Sequence, residues 1–485
     1  MPFWLVITET IPGESMIRHK RIDFICALAV ASALLVTVVM ITGIYSGGVT
    51  GAHGKTYADM LFDENVVHTI DIRISPELWE EMLDSAPDEE YFHCGVVVNG
   101  EAFNNIAIRL KGHSSKDFLS EFGYRRFDMK LSFNHYISGL SYHGLDKITL
   151  HGGYLDNTYL KDFFVFDMMR KAGVASPLTS YVWLTVNGED CGLYLAIEDM
   201  RAAFLRRNFG RDIGKLYKPE YTYRNDENND VALIYTDDDF TSYSGIFDEA
   251  MTNITAIDKK RLIDSLRILS GGEDLETAVD IEPVLTYFAV LSYIVNLDSY
   301  LGDTGHNYYL YEKNGILSMF PWDNHQAFAT YSVNVSDWEI EPTKYVNYPI
   351  DTPYWRVEAQ RRPMLSKLLE HEVYLQLYRQ IYSDFIVSYF ESGYFDERMD
   401  TVVSMISPYV ERDPTRYLEY EMFLRSVDTF REFNRLRVMS VRGQLEGSIP
   451  STFEGQVENP DALVNADHVW LPYLGDLDYY DYYYG

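Results

Sequence analysis

An uncharged apolar run near the N-terminus constrains this chain more than any other feature. Phe24 to Tyr45 spans 22 residues without a charged side chain, and a helix needs about 20 to cross a bilayer. Arg18, Lys20 and Arg21 stand directly before the run, and an excess of basic residues marks the cytoplasmic side. The sequence therefore predicts a single-pass membrane protein with residues 1–23 in the cytoplasm and the main domain outside it.

A cleaved signal peptide is the alternative for this run, because small residues follow it in the segment SGGVTGA. The apolar core of a signal peptide is usually about 7 to 15 residues long, which is shorter than the run at 24–45. We therefore predict an uncleaved anchor, joined by a Gly/Ser-rich linker at 46–60 to the folded part of the chain.

The net charge of the chain indicates which kinds of binding partner to expect. The chain has 41 Lys and Arg against 73 Asp and Glu, a formal net charge of −32. A field of that sign repels nucleic acid phosphates and attracts basic partners, so we predict no nucleic acid ligand. Three cysteines in 485 residues exclude a disulfide scaffold and a cysteine-based zinc site.

Turn and periodicity signals predict an α+β chain. Asn-Gly pairs at 99–100 and 187–188 separate strand-like segments and are strong hairpin signals. They place a sheet-rich lobe at 61–218, whereas helical periodicity prevails through 219–450. Residues 451–485 form an acidic, tyrosine-rich tail.

A third hairpin carries the first candidate site. With Asn314-Gly315 as a two-residue turn, cross-strand partners sum to 629, so Asn307 faces Trp322 and Asp323 follows. Opposed side chains lie about 5 Å apart at Cβ, and carboxylate and amide oxygens suit a hard divalent cation. The alternative is that these residues only form turns and helix caps. Two further carboxylates lie just upstream, at Asp298 and Asp303.

A second candidate is a small-residue loop followed by a strand lysine. The loop at 111–115 reads KGHSS, and Lys130 lies in the strand RFDMKLSF. The apolar residues of that strand share one face, so Lys130 points to the other. Backbone N–H groups and an ammonium can together hold phosphates, although polar residues alternating along a strand need no ligand.

These segments together resemble the spore coat protein H (CotH) kinase family. The family's motifs occur in order as RLKGHSS, GLYLAIEDM followed by GKLYK, NLDSYLGDTGHNYYLY and FPWDNHQAF, and the match runs from about 61 to 446. The resemblance implies an atypical protein-kinase-like bilobal fold, with a sheet-rich N-lobe and a helical C-lobe. It also implies transfer of phosphate from ATP with Mg²⁺ or Mn²⁺ to Ser or Thr of basic, serine-rich proteins of the spore coat or envelope.

The resemblance assigns roles residue by residue. Asp323 resembles the metal-binding aspartate of kinases, and Asn307 the second metal ligand. Asp298 resembles the catalytic aspartate, with Asp303 as the alternative, because Asp298 lies nine residues before Asn307 and ordinary kinases use a shorter spacing.

The remaining assignments concern the nucleotide. Lys130 would hold the phosphates, and the strand end that contains Glu198 and Met200 resembles the adenine-contacting hinge. The loop that would cover the phosphates comprises Gly112, His113, Ser114 and Ser115. The helix expected at 159–171 contains no glutamate, so no acidic partner of Lys130 can be named from the sequence.

Two rival functions are compatible with the same residues. The first is a catalytically inactive coat or envelope protein of kinase fold, which the altered residues Asn324 and His325 after PWD would suit. The second is a carbohydrate-active protein, which the 39 tyrosines and many carboxylates would suit and which would act without ATP.

Overall fold

The computed structural model describes residues 56–84, 90–112, 119, 124–220, 229–331 and 341–475. The chain divides into Met1–Thr56 and Tyr57–Gly485, and every element below belongs to the second unit.

Seven strands follow one another in the first part of this unit. They are β1 His68–Arg73, β2 Phe92–Val98, β3 Glu101–Lys111, β4 Asp128–Ser132, β5 Lys147–His151, β6 Thr179–Val186 and β7 Glu189–Glu198. In the order β1-β2-β3-β4-β5-β7-β6 they form a closed barrel. All neighbours are antiparallel except β1 and β6, whose parallel pairing closes the ring.

Both predicted Asn-Gly hairpins are present in this barrel. Asn99 and Asn187 have φ of 48° and 54°, and the glycine after each also has positive φ. A residue pair with positive φ forms the turn whose twist matches that of two antiparallel strands. The Asn-Gly pairs thus determine where β2 returns as β3 and where β6 returns as β7.

Side-chain alternation gives the barrel an apolar interior and a polar outer face on β3 to β5. Residues of these strands that belong to the interior cluster are Ile106, Ile108, Leu110, Met129, Leu131, Ile148 and Leu150. Because successive side chains point to opposite faces, the intervening residues lie outside; they are Arg109, Lys111, Lys130, Thr149 and His151.

A smaller sheet comprises β8 Lys215–Tyr217, β9 Tyr308–Lys313 and β10 Ile316–Pro321. Strand β9 lies between the other two. Tyr308 pairs with Pro321, and Lys313 with Ile316, which is the predicted register. The prediction that Asn307 and Asp323 both lie at the open end of this hairpin, Asn307 before β9 and Asp323 after β10, is therefore confirmed.

Helices make up most of the rest. They are α1 Tyr57–Leu61, α2 Pro76–Asp84, α3 Lys161–Lys171, α4 Ala202–Phe209, α5 Ser244–Phe247, α6 Ala256–Gly271, α7 Ile281–Tyr293, α8 Pro342–Val346, α9 Pro363–Leu369, α10 Glu372–Ile386, α11 Tyr394–Arg412, α12 Tyr420–Glu446 and α13 Phe453–Glu458. Short turns of helix occupy Phe240–Tyr243, Leu275–Thr277, Ala359–Arg361, Val387–Glu391, Pro460–Ala462 and Leu471–Leu474. Helix α7 is buried along nearly its whole length, at the centre of a second apolar cluster that also includes α3 and the outer face of β7.

The predicted fold class needs correction, although its α+β content is confirmed. The strands expected as the sheet-rich N-lobe of a kinase-like bilobal fold close into a barrel. Closure depends on the β1 and β6 pairing, which joins His68 to Val182. Local sequence patterns carry no signal for a contact between residues so far apart. The lobe boundary near 218 remains a prediction.

The predicted membrane anchor is also corrected. Residues 24–45 lie outside the described residues, and in the described part no helix combines the length and the apolarity that a membrane crossing needs. Helix α12 has 27 residues but carries charges throughout, and the apolar α7 has only 13. The predictions of a transmembrane helix, a membrane partner and a single-pass location are therefore not retained.

Candidate active site

Two loops build the centre of the candidate site, one after α7 and one after β10. The backbone N–H of Phe328 donates to the Ile294 carbonyl at 2.6 Å. Asn296 Nδ2 donates to Asn324 Oδ1 at 3.2 Å, in a buried contact. These bonds fix the loop that carries Asp298 against the loop that carries Asp323.

Side chains from both loops surround Asp298. Asn307 Nδ2 donates to Asp298 Oδ2 at 3.0 Å and to the Asp298 carbonyl at 2.8 Å. Gln326 Nε2 donates to the same Oδ2 at 3.1 Å, and His306 Nε2 lies 2.8 Å from Oδ1. Two residues predicted from the sequence, Asp298 and Asn307, are thus in direct contact.

Asp303, the alternative catalytic residue, is exposed. Arg362 Nη2 donates to its backbone carbonyl at 3.2 Å. The geometry groups Asp298, rather than Asp303, with Asn307.

Asp323 is held between two cationic groups. Its Oδ1 lies 2.5 Å from His325 Nδ1, and its Oδ2 lies 3.5 Å from Lys111 Nζ. Burial alone would raise the pKa of Asp323, but the charges of Lys111 and His325 outweigh burial and hold that pKa well below its usual range. Asp323 is therefore an ionised carboxylate at neutral pH.

The backbone at both ends of the hairpin is left-handed. Asn307 has φ of 57° and Asp323 has φ of 54°. Among residues with a side chain, Asn and Asp enter this region most readily. The two residue types that serve as oxygen ligands are thus also the ones this geometry tolerates.

A partly open cavity lies between the outer face of the barrel and the helical part. Its lining consists of Lys111, Thr149, His151, Asp162, Phe166, Ile197, Trp322 and Asp323. The Thr149 hydroxyl is buried and has no hydrogen-bond partner within the described residues. A buried hydroxyl without a partner is costly, so this atom is suited to a polar ligand in the cavity.

Lys130 is not among the residues that line this cavity. Its side chain is 10% exposed, and Nζ is 2.5 Å from Asp199 Oδ2. Burial would raise the pKa of Asp199, but Lys130 and Arg201 outweigh burial and lower it. Asp199 is the acidic partner that the sequence did not reveal. Strand alternation could have identified Asp199, because a residue next to Glu198 points to the opposite face of the strand from Glu198.

The structure does not bring the other predicted nucleotide contacts together at one site. Glu198 is fully buried and accepts hydrogen bonds from Tyr57 Oη at 2.6 Å and Arg207 Nε at 3.1 Å, so it faces away from the cavity. Met200 is fully buried, while Ile197 of the same segment lines the cavity. Gly112 follows Lys111 with φ of 113°. The other loop residues, His113, Ser114 and Ser115, lie outside the described residues.

Lys218 is a second residue near the site to which the sequence assigned no role. Burial and the positive charge of Lys111 lower the pKa of Lys218 to about 8, with Asp323 acting in the opposite direction. Lys218 is also paired with Glu220. Lys218 therefore lies near enough to Lys111 and Asp323 to interact electrostatically with both.

The candidate metal ligands Asp323 and Asn307 can hold a divalent cation only if a bound phosphate supplies further oxygen ligands. In the described residues no three His, Cys, Asp or Glu side chains are grouped so as to hold a metal ion. Mg²⁺ in nucleotide sites is commonly bound by one or two carboxylates plus phosphate oxygens. Asp323, ionised and beside lysines, fits that second arrangement.

Comparison with known proteins identifies the family of this chain. A family model described as CotH kinase protein matches residues 108–441, starting later than the expected position near 61. The inner spore coat protein H of Bacillus subtilis (strain 168) is 20% identical over 412 residues, covering 81% of this chain and 99% of that protein. The match includes both loops of the candidate site and all the cavity-lining residues, and it confirms the family predicted from the sequence. The chain belongs to the CotH kinase family.

Proposed function

We propose that this chain is a protein kinase that transfers the γ-phosphoryl group of ATP to Ser or Thr of basic proteins. The observation that carries the proposal is the pairing of Lys111 with Asp323 in a cavity whose neighbouring loop holds the Asp298–Asn307 contact. Phosphoryl transfer needs mainly positioning and offset of the triphosphate charge. The family supports a kinase, and the finer assignment of ATP and of Ser or Thr is a proposal from the family resemblance, with which these residues are compatible.

The nucleotide would bind in the cavity between barrel and helices. Lys111 and Lys218 would attract the phosphates, and Thr149 would gain a hydrogen-bond partner. Phe166 and Ile197 offer the apolar surface that a base requires. Asp323 and Asn307 would hold a divalent cation, which when bound with ATP offsets part of the triphosphate charge.

Asp298 would act on the acceptor. The acceptor hydroxyl oxygen forms a bond to the γ-phosphorus while the bond from that phosphorus to the β,γ-bridging oxygen breaks. ADP leaves with the electron pair, and the hydroxyl proton passes to the Asp298 carboxylate. Because Asn307 and Gln326 donate to Asp298 Oδ2, the carboxylate is oriented before the acceptor arrives.

The acceptor class follows from charge and from the relative's name. A net charge of −32 favours basic peptides. The matched Bacillus subtilis protein is named as an inner spore coat protein, which supports a place at the spore coat for this chain as well.

The test uses the purified full chain, γ-labelled ATP, Mg²⁺ or Mn²⁺, and a basic serine-rich peptide. We expect label on the peptide, reduced at least about 100-fold in Asp323→Asn because a charge-stabilising group is lost. The matched control is Asp303→Asn, an exposed carboxylate on the adjacent loop, which should keep the wild-type rate. Wild-type protein that transfers no label with either cation, and whose thermal unfolding does not respond to ATP, would indicate the inactive coat protein instead.

A further inference from the structure

His306 makes the closest side-chain contact to the Asp298 carboxylate. Its Nε2 lies 2.8 Å from Asp298 Oδ1, with side-chain exposures of 25% for His306 and 12% for Asp298. Thr304 Oγ1 also approaches Oδ1, but at 3.4 Å. The imidazole is thus the principal partner of the oxygen that Asn307 and Gln326 leave uncovered.

The loop that presents His306 is firmly held. Gly305, directly before it, has φ of 67°, and a Cβ there would lie 3.0 Å from Arg362 Nη2. Arg362 is 3% exposed, donates to the Gly302 carbonyl and lies over the Tyr300 ring at 5.6 Å. A buried arginine therefore fixes the backbone from which the imidazole reaches Asp298.

The contacts to the two oxygens of Asp298 have different origins. Oδ2 is held by two amides, one from each loop, and these define the plane of the carboxylate. Oδ1 is held by an imidazole that is partly exposed to solvent. An acceptor hydroxyl that reaches Oδ1 would therefore lie beside His306.

We propose that His306 is a positioning residue for Asp298. Its Nε2–H donates to Oδ1 and fixes the rotation of the carboxylate so that one lone pair faces the acceptor hydroxyl. This inference rests on the proposed function, because it concerns the carboxylate that receives the acceptor proton. It assigns His306 a contribution to the transfer step and none to nucleotide binding.

Two amide variants test the donor atom itself. In His306→Gln the side-chain amide nitrogen can take the place of Nε2, whereas in His306→Asn it can reach only the place of Nδ1. We expect His306→Gln to keep kcat within about threefold of wild type. His306→Asn and His306→Ala should lose about 10- to 100-fold in kcat, since misplacement by about 1 Å can cost that much. The KM for ATP and the thermal shift produced by Mg-ATP should stay unchanged in all three.

His143 provides a matched control, because it makes the same kind of contact elsewhere. Its Nε2 lies 2.9 Å from Glu101 with 33% exposure of the histidine side chain, in the connection from β4 to β5. His143→Asn should leave kcat unchanged.

Several results would overturn the inference. They are equal kcat in His306→Gln and His306→Asn, a wild-type kcat in His306→Asn, or a loss confined to the KM for ATP. If His306→Ala does not fold, the comparison of the Gln and Asn variants still decides. A wild-type chain that transfers phosphate to no acceptor refutes the proposed function instead, and the role of His306 falls with it.

Discussion

Replacement of Gly192 by alanine should be among the most damaging single changes in the barrel. Gly192 has φ of +102°, and a Cβ at this position would lie 2.1 Å from Asp413 Oδ1. Asp413 is fully buried and pairs with Arg126 at 2.8 Å, the two side chains being 0% and 1% exposed. An added methyl group must therefore move a buried carboxylate away from its partner.

The magnitude has two parts. Left-handed backbone costs a residue with a Cβ about 1 to 2 kcal/mol, and breaking a buried ion pair costs about 3 to 5 kcal/mol. Gly192→Ala should thus lower the free energy of unfolding by about 4 to 7 kcal/mol. That is a large fraction of the roughly 5 to 15 kcal/mol that stabilises most proteins.

Urea denaturation of the full chain, followed by circular dichroism, measures this loss. Gly188 is the matched control, because it has φ of +84° but its Cβ would meet no atom of the described residues within 4 Å. Gly188→Ala should cost only the backbone part, about 1 to 2 kcal/mol. In an Asp413→Ala background, Gly192→Ala should likewise cost no more than that part. Equal losses in Gly192→Ala and Gly188→Ala would refute the reasoning.

Two further predictions concern buried lysines. Lys130→Met should lower the free energy of unfolding in urea by about 3 kcal/mol, the low end for breaking a buried ion pair, because the buried Asp199 carboxylate loses Lys130 while Arg201 Nε remains 3.4 Å from its Oδ1. Lys130→Met with Asp199→Leu should recover most of the loss, and no recovery would contradict the pairing. Burial lowers the pKa of Lys161 to about 8, so between pH 7.5 and 9.5 the unfolded chain binds more protons at this residue and stability rises with pH. Relative to Lys161→Met, wild type should gain about 2 kcal/mol across that window, and parallel pH profiles of the two proteins would contradict the shift.

Local signals allowed much of the strand pattern to be predicted. The turn at Asn314-Gly315 fixed the β9–β10 register, because a two-residue loop leaves one pairing that keeps both strands regular. The contact between Asp298 and Asn307 could be expected only from family resemblance, since it joins a loop to the start of a strand. The sequence did not identify Asp199 as the partner of Lys130. The family resemblance assigned the neighbouring Glu198 to the nucleotide site, although the two side chains point to opposite faces.

Contacts between residues far apart in the sequence could not be predicted from local patterns. Lys161 is a helix residue whose ammonium donates to the His325 carbonyl at 2.8 Å and to Thr330 Oγ1 at 2.8 Å. A lysine at that position otherwise suggests solvent exposure. Barrel closure and the Arg126–Asp413 pair likewise join segments whose separate patterns carry no sign of each other.

The parallel pairing of β1 with β6 affects how the barrel is made during synthesis. Thr185 Oγ1 donates to Asp71 Oδ1 at 2.8 Å across 114 residues of chain. At about 5 to 20 residues per second, β1 is made roughly 6 to 23 s before β6. One edge of β1 stays unpaired for that time, with hydrogen-bonding groups that another chain could occupy. The alternation of β1, in which exposed Thr69 and Arg73 flank half-buried Asp71, gives this strand one polar face while its edge is unpaired, which makes it less apolar than a strand buried on both faces.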